Sequence, residues 1–284
     1  MNIRFGANTQ IWVGGFATKD FHLVDKLARM GCDFIEISYG EMEAPFDPKE
    51  LKRLIDDAGL EISMCGYLSG ERDITSADAA VRANGLKYFR GAAETGQVLG
   101  ARIFAGPLYA ELFRGRWLSA DDRRAEWDRG AASLKEIGSM CGDHGMTVAL
   151  EPLNRFETDF LNTAHQAVQM VEQVDSPHVK IHLDTFHMNI EEKRIGDAIR
   201  EAGKHLVHFH TCSNDRGTPG AGHIPWGEVV DGLKAVDYSG FVGIEGFNPK
   251  DVPLANGGRT WRPVATAQDR VAIDGFEFLR KVFA

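Results

Sequence analysis

Eight short runs rich in β-branched and aromatic residues recur along the chain, at residues 3–7, 34–38, 61–65, 102–105, 147–151, 179–184, 206–210 and 241–245. Longer stretches of helical period separate most of them, among them residues 21–30, 48–58, 77–99, 120–144, 164–174, 226–236 and 265–283. Strand-length runs alternating with helical patterns make strand–helix–strand units, which build parallel sheets. Eight such units with no Pro/Ser-rich linker predict an α/β chain folded as one domain over residues 1–284, a single (β/α)8 TIM barrel. Several helical patterns stop at glycine, as at Gly31, Gly59, Gly100 and Gly145, where a left-handed residue closes a helix. The competing architecture, an open doubly wound sheet, wants G-x-G-x-x-G after its first strand. The residues from Asn8 to Gly15 do not fit that pattern. The later run Gly217-Thr218-Pro219-Gly220-Ala221-Gly222 has the wrong spacing, and reads as a loop that lets backbone approach a ligand.

Length and composition agree with a barrel. The chain has 284 residues, 43% hydrophobic and 26% charged, enough to bury a full core. Asp and Glu number 41 against 32 Lys and Arg, a net charge of −9. That balance argues against a partner bound through its phosphates, which calls for a basic surface. Cys32, Cys65, Cys141 and Cys212 form no Cys-x-x-Cys pair and read as buried reduced thiols of a cytoplasmic protein. The first residues lack an apolar signal core, and no run of ~18 apolar residues suggests a membrane span.

The most informative pattern lies at the ends of the last four strand runs. They close on Glu151, Asp184, His210 and Glu245, each about one strand–helix unit from the next. In a (β/α)8 barrel the C-terminal strand ends meet at one mouth, where active sites sit. One such residue alone would read as a helix cap, a turn residue or a hydrogen-bonded core histidine. Four in succession read as a ligand set, because unpartnered carboxylates in a barrel mouth are costly and a shared cation offsets them. Three carboxylates and one imidazole suit a single divalent ion, Mn2+ or Mg2+, with Co2+ next, better than a thiolate-bound structural zinc, and the donors alone do not choose among these ions.

Polar residues just past these ends belong to the same mouth. Asn154, Arg155 and Glu157 follow Glu151; His187 and Asn189 follow Asp184; Asn214, Asp215 and Arg216 follow His210. Such loop residues suit the hydroxyls of a polar substrate. His182 and His208 each precede a ligand by two, so strand alternation points them inward, into a lower layer or behind the ligands.

The segments Glu151-Pro-Leu-Asn-Arg-Phe-Glu157 and His182-Leu-Asp-Thr-Phe-His-Met-Asn189 resemble the D-tagatose 3-epimerase family. So do the loop from Gly220 to Trp226, Gly106-Pro-Leu-Tyr109, and Ala125-Glu-Trp127. That family includes D-psicose (allulose) and L-ribulose 3-epimerases, within the xylose isomerase-like barrels. The resemblance implies metal ligands at Glu151, Asp184, His210 and Glu245, with Glu151 and Glu245 also transferring protons. It implies substrate contacts at Glu157, His187, Arg216 and Cys65, a small-molecule sugar substrate, and a homodimer or homotetramer. The chain departs from the family in Gly246-Phe247-Asn248-Pro249 and in the Asn8–Gly15 loop, which leaves the identity of the sugar open.

These residue types suit α-proton chemistry. Epimerising C3 of a ketose needs a stabilised enolate oxygen and one base on each face of the carbon. The same site could serve an aldose–ketose isomerase, an inosose isomerase or dehydratase, or a 3-keto-glycoside lyase. An endonuclease IV-like repair enzyme would want more His and carboxylate ligands and a basic face. A non-catalytic sugar- or metal-binding barrel would not need both glutamates.

Overall fold

The computed structural model describes residues 1–40 and 44–284. Eight parallel strands, β1 (Ile3–Asn8), β2 (Phe34–Ser38), β3 (Glu61–Cys65), β4 (Ile103–Gly106), β5 (Thr147–Leu150), β6 (Val179–Asp184), β7 (Leu206–Thr211) and β8 (Gly240–Ile244), pair in chain order. β8 pairs back onto β1 and closes the barrel. The helices are α1 (His22–Arg29), α2 (Pro48–Ala58), α3 (Ala79–Leu99), α4 (Ala120–Asp143), α5 (Ala164–Val174), α6 (Thr185–Glu191), α7 (Ile195–Ala202), α8 (Trp226–Ala235), α9 (Val252–Gly257) and α10 (Gln268–Val282). The (β/α)8 expectation holds. β2, β3 and β6 match the expected runs; β1, β5 and β7 differ by one residue at their C-terminal ends, and β4 and β8 are shifted by one residue at both ends. The sequence pattern marks no helix at α6, α7 or α9.

Local chemistry sets the helix ends. Asp47, Asp78, Ser119 and Thr163 accept backbone N–H bonds at the starts of α2, α3, α4 and α5, satisfying amides that have no partner within the helix. Thr163 and Gln166 do so reciprocally, as a capping box. Gly59 and Gly100 close α2 and α3 at φ 69° and 75°, a region where a Cβ is disfavoured.

Strand alternation divides each strand between two environments. On β2, Ile35 and Ile37 alternate with Phe34 and Glu36, and both isoleucines belong to the buried core that includes Leu23 and Leu27 of α1 and Leu51 and Ile55 of α2. Truncating Ile37 to Ala would cost about 2–5 kcal/mol, because it is fully buried in a close-packed layer. On the inner face, Phe34 and Phe241 stack with ring centroids 4.2 Å apart, and His208 lies edge-on to both. In register, Asn8, Glu36 and Ser63 lie side by side on β1, β2 and β3. The barrel interior is thus aromatic low down and polar nearer the mouth. No helix of the described residues is long and apolar enough to cross a membrane.

Candidate active site

Glu151 and Glu245 are the residues immediately after β5 and β8, while Asp184 ends β6 and His210 lies one residue before the end of β7. All four are buried, and each contributes one ligand-type atom to a set lying within 4.8 Å of one another. The four strand-end residues expected from the sequence are therefore brought together. Their backbones are well fixed. Glu151 N donates to the Gly106 carbonyl at 2.9 Å and Glu245 N to the Thr211 carbonyl at 3.3 Å. Gly106 has φ 128°, and a Cβ there would lie 2.2 Å from the Gly66 carbonyl oxygen, so only glycine allows this approach of the β3 and β4 ends. Asp184 also caps α6, accepting from Phe186 N at 2.7 Å. His187, expected in a loop, therefore stands one turn into a short helix.

Arg216 is buried among the acids. Its Nη1 donates to Asp184 Oδ2 at 2.6 Å and also to Glu245 Oε2. Its Nη2 lies 2.9 Å from His187 Nε2. The guanidinium carbon sits 4.2 Å from the Phe186 ring centroid and 5.0 Å from that of Phe247, so two aromatic faces hold it. Arg216 itself has φ 64°, a sparsely populated conformation for a non-glycine residue, held by its N–H bond to the Ser213 carbonyl at 3.0 Å.

His187 Nδ1 lies 3.1 Å from Asn154 N and 2.9 Å from Asn154 Nδ2, which also donates to Glu157 Oε1 at 2.8 Å. Asn154 thus couples His187 to Glu157. Cys65, at the end of β3, is buried and accepts from Asn8 Nδ2 at 3.3 Å. The four cysteines are free and buried, as expected. Other loop residues turn away from the cluster. Arg155 pairs with Glu191 at 2.9 Å, and Asn214 caps the turn at His223 N. In the glycine-rich loop, Gly220 and Gly222 make room for the Phe278 ring and for the Asn214 and Ser213 side chains, which a Cβ would meet.

The electrostatics separate the carboxylates. Burial pushes Glu245 up to about 7; Arg216 and His210 oppose this, and Asp184 adds to it. Burial also raises Glu151, reinforced by the charges of Glu245 and Asp184. Asp184 faces the same burial, but Arg216, His187 and His210 hold it below the usual carboxylate range. Burial and the neighbouring Arg216 push His187 down to about 4, which keeps its ring neutral at pH 7.

The donor set fits a divalent cation. Among the described residues, Glu151 Oε1 and His210 Nδ1 are buried without a hydrogen-bond partner, and three carboxylates with one imidazole are a hard, oxygen-rich set. Behind His210 stands Glu36, a fully buried glutamate at the centre of β2 and absent from the residues that the sequence pattern singles out. The signal was present: an acidic residue between isoleucines, in Phe34-Ile35-Glu36-Ile37. His182 and His208 lie inside the barrel, as alternation required, with ring centroids 4.2 Å and 5.0 Å from that of His210.

Fold and site together define a (β/α)8 barrel with an acidic four-residue centre, a potential metal site, at its C-terminal mouth. The chain belongs to the xylose isomerase-like TIM barrel family, whose profile matches residues 24–282. It is 34% identical to a probable ketose 3-epimerase from Synechocystis sp. over 282 residues, covering 99% of this chain and 97% of the relative. It is 35% identical to an L-ribulose 3-epimerase from Mesorhizobium japonicum over 91% of this chain and 87% of the relative. The solved structure of an L-ribulose 3-epimerase superposes with a TM-score of 0.93 at 32% identity, covering 100% of this chain and 95% of that one.

Proposed function

We propose that this protein is a metal-dependent ketose 3-epimerase that interconverts C3 epimers of free ketohexoses or ketopentoses. One observation carries the reading. Glu151 and Glu245, delivered by two strands three apart around the barrel, enter the same buried cluster, so two carboxyls can reach one substrate carbon, and burial raises both above the usual carboxylate range. Its curated relatives named as ketose and L-ribulose 3-epimerases support the reaction class.

Glu151, Asp184, His210 and Glu245 would hold one divalent ion, for which Mn2+ is our choice; the donors suit Mg2+ and Co2+ as well. When bound, the ion supplies polarisation of the substrate's carbonyl and adjoining hydroxyl, which makes the C3 hydrogen more acidic. One of Glu151 and Glu245 removes the C3 proton to leave a cis-enediolate. The other returns a proton to the opposite face. Arg216 and neutral His187 bind the O1/O2 end, and Arg216 offers N–H donors toward the developing negative charge. Glu157, tied to His187 through Asn154, orients a substrate hydroxyl or the Glu151 carboxyl. Cys65 lines the pocket as a small neutral side chain.

The test is a panel assay with added Mn2+ on D-tagatose, D-fructose, D-psicose, L-ribulose and an inosose, with products resolved by chromatography. A C3 epimer from at least one ketose is the expected result. An aldose, a dehydrated product, or no reaction with any ketose would overturn the assignment.

A further inference from the structure

We propose that Glu36 is a positioning residue for the metal centre: it holds the His210 ring so that Nδ1, and not Nε2, is presented to Glu151, Asp184 and Glu245. This inference rests on the metal-site reading above.

The geometry is specific. His210 Nε2 lies 2.6 Å from Glu36 Oε1, and its Nδ1 lies 3.5 Å from Glu245 Oε1 with no hydrogen-bond partner among the described residues. A carboxylate can only accept. A hydrogen bond to it therefore keeps a ring proton on Nε2 and makes Nδ1 the nitrogen that would give up its proton to a cation held among the acids. Glu36 is itself immobilised. Ser63 Oγ donates to Oε2 at 2.8 Å, Asn8 Nδ2 donates to Oε1 at 3.0 Å, and His208 Nε2 lies 2.7 Å from Oε2. Strands β1, β2, β3 and β7 thus converge on one carboxylate.

A purely structural role accounts poorly for this arrangement. A fully buried carboxylate is expensive to desolvate, and an apolar residue of similar volume would serve a barrel core at lower cost. Histidines that ligate metals commonly donate their second ring N–H to a carboxylate, which sets both tautomer and orientation. The same contacts bear on the other cluster of potential ligands, His182, His208 and His210. Of that group, His210 Nε2 is hydrogen-bonded to Glu36 and His208 Nε2 lies 2.7 Å from the same carboxylate, so two of the three rings are held close to it.

The experiment is calorimetric titration of the metal-free protein with Mn2+, run on wild type, Glu36→Gln, Ser63→Ala and Asp184→Asn, with 15N NMR of the His210 ring in the protein loaded with diamagnetic Mg2+. Glu36→Gln should bind Mn2+ about 10- to 100-fold more weakly. Ser63→Ala, which removes one donor to Glu36, should weaken binding by a smaller factor. Wild-type His210 should carry its proton on Nε2, and Glu36→Gln should lose that preference. Wild-type affinity in Glu36→Gln with an unchanged tautomer would overturn the inference. If Glu36→Gln does not fold, a wild-type proton on Nδ1 would overturn it equally. Failure of the underlying metal-site reading looks different: wild type would not bind one Mn2+ per chain, or Asp184→Asn would bind as tightly as wild type.

Discussion

Arg216 Nη1 donates to Asp184 Oδ2 at 2.6 Å, while Nη2 of the same guanidinium lies 2.9 Å from His187 Nε2. One side chain therefore spans a carboxylate and a neutral imidazole with its two terminal nitrogens. A lysine carries a single point charge and cannot hold both while lying flat between Phe186 and Phe247. Arg216→Lys should fold, and steady-state kinetics should show kcat/KM reduced about 100-fold, the scale of losing one aligned donor to a developing charge.

Gly106 links a backbone conformation to a proposed base. Its carbonyl receives the Glu151 N–H, and its φ of 128° and the nearby Gly66 carbonyl leave no space for a Cβ. Gly106→Ala should destabilise the protein by about 1–3 kcal/mol. Calorimetry should show a lower Tm, and the displaced Glu151 should lower kcat more than it changes KM.

Loop anchoring near the mouth is electrostatic and should depend on pH. Arg114 is buried against Asp73, Glu126 and Asp159, and Arg116 reaches Glu126 and Asp159 as well. Burial opposes ionisation of Asp159, but its hydrogen bond to Arg116 and the charge of Arg114 hold it below the usual carboxylate range. A depressed carboxyl stabilises the fold above its unfolded pKa, about 3.9, and that contribution disappears as pH falls through the folded value. Asp159→Asn should therefore lower Tm at pH 7. The gap from wild type should shrink as pH drops below about 4, and thermal scans across that range check it.

Ligand binding should register as stability. If the four-residue cluster holds a divalent ion, free Mn2+ at 100 times its Kd adds about 2.7 kcal/mol. For a chain of this size that is a Tm increase of about 5 °C, reversed by chelation. Asp184→Asn should abolish the shift, which differential scanning fluorimetry would read directly.

How much of this was legible in the sequence differs from element to element. β2 and β3 stand out because a glycine-containing turn follows each run, at Gly40 and Gly66, and β6 because its apolar run ends at a capping aspartate. The cluster was legible because barrel topology converts the regular spacing of Glu151, Asp184, His210 and Glu245 into proximity. α6 was not, because its seven residues are too few to display a helical period and its start depends on the Asp184 side chain capping Phe186 N. Glu36 was missed for another reason. Its partners lie 28, 27 and 174 residues away, at Asn8, Ser63 and His210, and a lone glutamate in a strand carries no local mark of such distant contacts.

The most direct test of two-base chemistry is exchange of the C3 hydrogen with solvent deuterium. A reactive ketose would be incubated in D2O with wild type, Glu151→Gln and Glu245→Gln at saturating Mn2+, and followed by NMR. Wild type should place deuterium at C3 of both epimers. Each variant should lose about 10²- to 10⁴-fold in epimerisation, the range for removing a proton-transfer group, and exchange only the epimer whose proton faces the remaining glutamate. Wild-type exchange and turnover in both variants would contradict the account.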